Sequence, residues 1–249
     1  MFFACNHKTI VAIVTFATTL ISLNARVFIP DNNDIRIIGI PMLKQQGSGY
    51  CAPATLAMAL EYKNKLVDQA TIGKWAKSSN DVGTDIAAMY EAVNAHKEGL
   101  NVQISPLIHY DIDHFRNVVN RYNVLAIKKS KPLLQINAND NIYVAELFKN
   151  ADIDILRQTV TYFERRNFAN TIRSSIKADK PILWGMILGI APEENLIPTA
   201  NGGHLRLIIG ISADNKYIFY CDPWGEAHAK KKMPLIDAAA VTFSLHCVE

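Results

Sequence analysis

The run Lys44-Gln45-Gln46-Gly47-Ser48-Gly49-Tyr50-Cys51-Ala52-Pro53-Ala54-Thr55-Leu56-Ala57-Met58-Ala59-Leu60-Glu61-Tyr62 constrains this chain more than any other stretch. A Gly/Ser turn delivers a cysteine to the start of a segment that reads as helix over about residues 53–64. Pro53 fits its first turn, where a missing N–H needs no partner. Leu56, Ala59 and Leu60 recur at helical spacing and predict an inward face. A thiol at such a start meets unpaired backbone N–H groups and the positive end of the helix dipole. Both stabilise a thiolate and draw a free-thiol pKa of about 8.5 downward. Gln45, six residues before Cys51, supplies an amide donor that can share a target with the Cys51 N–H, the minimum for holding an oxyanion. Gln46 stands one residue off that spacing.

Two further groups complete a nucleophile set. His204 follows Gly202-Gly203, whose missing side chains allow an extended substrate close to the backbone. Asp222 lies in Cys221-Asp222-Pro223-Trp224-Gly225, eighteen residues on, at the far end of an expected hairpin. That pairing can bring its carboxylate to the imidazole and fix the tautomer. A lone strand histidine is usually structural, but the order Gln, Cys, His, Asp favours catalysis. His96, His109, His114, His228 and His246 lack such context.

With these residues in place, the chain resembles the C39-like group of papain-like cysteine peptidases over about residues 38–246. The resemblance implies an α+β fold with N-terminal helices, the nucleophile at a helix start, packed on a C-terminal antiparallel sheet. It implies Gln45 as oxyanion donor, Cys51 as nucleophile, His204 as general base and Asp222 as the group that orients it. It also implies a substrate cleft bordered by Gly49, Tyr50, Gly83, Gly203 and Trp224, the last resembling the tryptophan that shields the base-orienting side chain. Tyr50-Cys51-Ala52 replaces the Asp-Cys-Gly of many members, and papain's own Cys-Gly-Ser/Ala-Cys-Trp signature is absent. The expected activity is hydrolysis of peptide bonds through a thioester, on a peptide or protein substrate. A peptide-binding module without turnover, and acyl transfer or deamidation on the same triad, are the other readings.

Composition narrows the setting. Hydrophobic residues make up 49% and charged residues 20%, a globular balance. Residues 1–25 carry one charged residue, Lys8, followed by the apolar run Ile10 to Leu23. This order predicts a signal peptide and an exported, secreted or periplasmic protein, with an uncleaved N-terminal anchor as the alternative route to a membrane. Removing that segment leaves 25 basic and 23 acidic residues, a net charge of +2 that calls for no nucleic acid. The basic run Lys230-Lys231-Lys232 reads as a solvated turn. Neither His-Glu-x-x-His nor Cys-x-x-Cys occurs, so no metal or cofactor is expected. The three cysteines left after residue 25 suggest one free thiol and one pair, Cys221 with Cys247. Two buried reduced thiols fit the sequence equally well.

No linker divides the chain. Beyond the first helix, periodicity predicts a helix over 68–77, one starting at Thr84 and ending at Gly99, a strand over 101–108 and a helix over 113–122. Residues 129–165 read as an elaboration of a single domain, with a polar turn at 137–141 and a helical pattern through Leu147, Ile155 and Phe163. Helix follows over 168–178, then a buried strand over 182–190. A hairpin of 204–211 with 216–221 follows, then a helical turn near Leu235 and a last strand over 241–248.

Overall fold

A computed structural model describes residues 27–28, 32–108, 110–136, 143–194, 196 and 200–249. The expected signal segment, His109 and the turn at 137–141 lie outside the described residues. Two short strands open the chain, β1 (Val27–Phe28) and β2 (Ile35–Ile37), followed by α1 (Cys51–Tyr62), α2 (Gln69–Trp75), α3 (Ile86–Ala95), α4 (Lys97–Leu100), β3 (Ile104–Ile108) and α5 (Ile112–Lys128). Three helices come next, α6 (Val144–Phe148), α7 (Ile153–Thr159) and α8 (Tyr162–Lys177). The C-terminal part holds β4 (Ile182–Leu188), β5 (Gly202–Ile211), β6 (Tyr217–Cys221), β7 (Lys231–Pro234), α9 (Leu235–Val241) and β8 (Thr242–Val248). The arrangement is α+β, helices first and an antiparallel sheet later, as the sequence predicts.

The sheet runs β1-β2-β5-β4-β8-β3, with β6 on the other edge of β5 and β7 beyond it. Register is antiparallel throughout, with His204 opposite Met186 and Leu207 opposite Cys221. β4 is buried at all seven positions, which is why its sequence is an unbroken apolar run instead of an alternating one. α1 departs from expectation in the same direction. Every residue from Ala52 to Leu60 is buried, so α1 has no solvated face in that stretch and is a central helix under both layers. Thr55 Oγ1 donates to the Leu205 carbonyl of β5 at 2.9 Å, pinning α1 to the strand that carries His204.

Several boundaries move for local reasons. α3 is capped by Asp85, whose carboxylate accepts from Ala88 N–H, because the Thr84 hydroxyl donates to the Gly49 carbonyl instead. α8 begins at Tyr162, six residues early, under a capping box of Thr161 and Glu164. β7 was not expected at all: its lysines hid a short strand that pairs with β6. The suggested disulfide is excluded by topology. Cys221 on β6 and Cys247 on β8 are separated by β5 and β4, about 14 Å at ordinary strand spacing, against the roughly 7 Å limit for a bridge. Both are free thiols, and so is Cys51.

Candidate active site

The loop before Cys51 is held in place by contacts that only small residues allow. A Cβ on Gly49 would lie 1.8 Å from the Ser79 carbonyl oxygen, so residues 79–83 pass directly against the nucleophile loop. Ser79 and Gly83 exchange backbone hydrogen bonds, and Gly83 takes φ +84°, the left-handed region that favours glycine. Ser48 Oγ donates to the Asn80 carbonyl, tying the two loops again. Tyr50 turns its ring onto Gly73 of α2. On the other side the buried Gln69 clamps the chain: its amide donates to the Lys44 carbonyl and its Oε1 accepts from Gln46 N–H, each at 2.9 Å. Sequence reasoning missed Gln69, whose only signal is a polar residue at an inward helical position.

Cys51 is the first residue of α1 and hydrogen-bonds with His204 of β5. The imidazole Nε2 sits 2.9 Å from Asp222 Oδ1, which leaves Nδ1 for the thiol side. Asp222 follows β6 at the start of the Asp-Pro turn and is fully buried, while His204 is 4% exposed. Trp224 closes over the pair, its ring centroid 5.2 Å from that of His204. The same turn carries Lys44 and Gln45: Gln45 N–H donates to the Pro223 carbonyl at 2.7 Å, and Lys44 bridges to Trp224. The Gln45 amide points into its own loop, donating to the Gly47 carbonyl at 2.6 Å and lying 3.4 Å from that of Ser48. Gly203 lies one residue before His204 and is exposed, with the Phe243 ring 4.0 Å from where its Cβ would stand.

Electrostatics couples these groups. Burial pushes the Cys51 thiol up, but the hydrogen bond and charge of His204 outweigh it, helped by the backbone N–H groups of Leu205 and Ala52, and its pKa falls below the ordinary 9.0. Burial alone would lower His204, yet its hydrogen bonds to Asp222 and Cys51 raise it to about 9. Burial opposes ionisation of Asp222 too, and the His204 and Arg206 cations hold its pKa below the usual carboxylate value. The set favours a thiolate–imidazolium pair at neutral pH.

Lys231 corrects the reading of the basic run as a solvated turn. Lys230 and Lys232 are exposed, but the Lys231 side chain is only 10% exposed, with Nζ 3.6 Å from Glu193 Oε2. Among the described residues no group of three or more His, Cys, Asp or Glu is positioned to hold a metal ion.

The model of the Peptidase_C39 like family matches residues 37–136 and 136–243. Among solved structures, a Bacillus anthracis protein described as a C39-like peptidase is 13% identical, with a TM-score of 0.45, over 87% of this chain and 98% of that one. Xylellain, a cysteine protease from Xylella fastidiosa, is 11% identical, also at a TM-score of 0.45, over 87% of this chain and 85% of that one. A search of curated proteins gives no match. With the family match extending over most of its length, from ahead of the nucleophile loop to the last strand, this chain belongs to the Peptidase_C39 like family.

Proposed function

We propose that the protein is an exported cysteine peptidase that cleaves peptide bonds through a thioester acyl-enzyme. The observation that carries this reading is the Cys51–His204–Asp222 contact at the start of α1. In it the thiol is drawn toward thiolate and the imidazole is held by Asp222 Oδ1 at 2.9 Å. The Cys51 thiolate attacks the scissile carbonyl. The oxyanion is met by the Cys51 backbone N–H and by the Gln45 amide, whose looser 3.4 Å donor to Ser48 is the one free to turn toward it. His204 then gives its proton to the leaving amine, and water released onto the thioester is deprotonated by the neutral imidazole. Gly203, Gly83 and the edge of Trp224 border the path of an extended peptide, while Gly49 shapes the loop that presents Cys51. The Tyr50 ring lies against Gly73 of α2, which supports an open cleft at that side.

The test is proteolysis of unfolded protein substrates, scored by new N-termini, with the parent and Cys51→Ala. The parent should cut and the variant should not, with an unchanged fold because the thiol leaves a small gap. Residual activity within tenfold of the parent would remove Cys51 as nucleophile.

A further inference from the structure

Arg206 is the one arginine of β5, two residues past His204 on the same face of the strand, and it is 0% exposed. Its Nε donates to Asp222 Oδ2 at 2.7 Å, the oxygen that His204 does not use, and its Nη1 lies 2.7 Å from Glu193 Oε2. The guanidinium is enclosed by the rings of Tyr220, Trp184 and Trp224, at 4.8, 5.9 and 5.9 Å. Glu193, on the connection from β4 to β5, has a side chain only 2% exposed and also takes the Tyr220 hydroxyl at 2.9 Å. Buried ion pairs of this kind are often no more stabilising than apolar residues of the same volume, so stability alone does not account for a charged chain behind the triad.

We propose that Arg206 is a positioning residue that fixes the ionised Asp222 carboxylate for His204, and that Glu193 is the counter-ion that keeps the Arg206 charge from opposing the imidazolium. This rests on the thiolate–imidazolium reading of Cys51 and His204. Charges alternate along the contacts: Cys51 thiolate, His204 cation, Asp222, Arg206, Glu193, Lys231. Around Asp222 these groups come from several elements, and Lys44, on the loop bridged to Trp224, is exposed. His204 and Arg206 are on β5, Lys231 is on β7, Glu193 is on the β4–β5 connection, and Cys51 reaches it through His204 from α1. Tyr220 on β6 binds Glu193. In the turn after β6, the His228 carbonyl accepts the Asp222 N–H while its ring meets Trp224, and Glu226 is exposed. A full charge within about 10 Å at an effective dielectric of about 20 moves a titration by about half a unit or more, so removing a member of the chain is legible in the pH behaviour of His204.

The experiment is NMR titration of the His204 ring together with the iodoacetamide rate of Cys51 against pH, neither of which needs a substrate. Glu193→Gln is nearly isosteric and removes an anion, so the His204 midpoint should fall by about half a unit or more, with the Cys51 limb moving down by less. Arg206→Met removes a cation and should move both upward. Arg206→Lys keeps the charge without the fork, so both midpoints should stay within about 0.3 unit of the parent while peptidase turnover drops about tenfold or more. If Arg206→Met does not fold, Glu193→Gln and Arg206→Lys decide. An unmoved or raised His204 midpoint in Glu193→Gln, or full turnover in Arg206→Lys, would overturn the assignment. A parent in which Cys51 shows no rapid alkylation below pH 7 would instead defeat the thiolate reading itself, leaving the two failures distinct.

Discussion

Asp222 accepts from two donors, His204 on Oδ1 and Arg206 on Oδ2, and this decides what its amide analogue does. In Asp222→Asn the carbonyl can still accept from His204, but the amide nitrogen then faces Arg206 Nε–H, donor against donor. The variant should lose about 1–3 kcal/mol of stability, keep part of the activity and show its basic limb moved to lower pH, below the parent's limb near 9. Asp222→Ala should lose more activity. Rate profiles against pH for both variants check this, and full activity of Asp222→Ala with an unmoved basic limb would relegate Asp222 to shaping the turn at Pro223. Gln45→Ala should lower the rate constant by about 10² to 10³, with a much smaller loss for Gln46→Ala, whose exposed side chain leaves only its backbone tied to Gln69. Equal losses would show the register is wrong. Cys51, His204 and Asp222 were legible as candidates because each sits in a short motif. Arg206, Glu193, Lys231 and Gln69 were not, since each acquires meaning only from a partner distant in sequence. Arg206 left one usable trace, a charge at the His204 phase of an otherwise apolar strand.

The loop before Cys51 and the turn at 79–83 interlock, and the two glycines at the junction differ in a testable way. A Cβ at Gly49 meets the Ser79 carbonyl, backbone that cannot step aside. A Cβ at Gly47 meets the Asn80 side-chain amide at 2.0 Å, the free end of an exposed residue that can swing away. Gly49→Ala should therefore cost about 1–3 kcal/mol and displace Cys51, while Gly47→Ala should be tolerated. Urea midpoints and alkylation rates of the two variants measure it, and equal effects would mean the loops are not clamped as described. Periodicity made α5 readable, the helix-start chemistry around Cys51 and Pro53 made α1 so, and largely apolar runs marked β4 and β5. The ends were harder, because Thr84 could cap α3 in sequence but is drawn to Gly49 in space, and α8 starts early on a capping box that overlapped an unclear stretch.

For the whole molecule, the sheet order sets the state of the cysteines, something no local pattern could reveal, and through them part of the response to alkali. Burial pushes Cys247 up to about 11 and Cys221 up to about 12, from an ordinary 9.0. Between 9 and those values the native state holds protons that the unfolded chain has released, so this stabilisation is complete below pH 9 and is lost as pH rises through 11 and 12. His204, raised from 6.5 to about 9, has the same sign earlier: its contribution is present below pH 6.5 and gone above about 9. Cys51 runs the other way, stabilising above 9.0 and losing that contribution as pH falls through its lowered pKa, so the pair offsets itself near neutrality. The expected outcome is a urea midpoint nearly level around pH 7 that declines above pH 9, less steeply in Cys221→Ala once its lower starting stability is allowed for. Native protein at pH 7 should show Cys51 as the fast-reacting thiol, and protein in urea should expose Cys221 and Cys247 as well. A reductant should leave the midpoint unchanged, and a midpoint that drops on reduction would require a bridge that the strands between Cys221 and Cys247 do not permit.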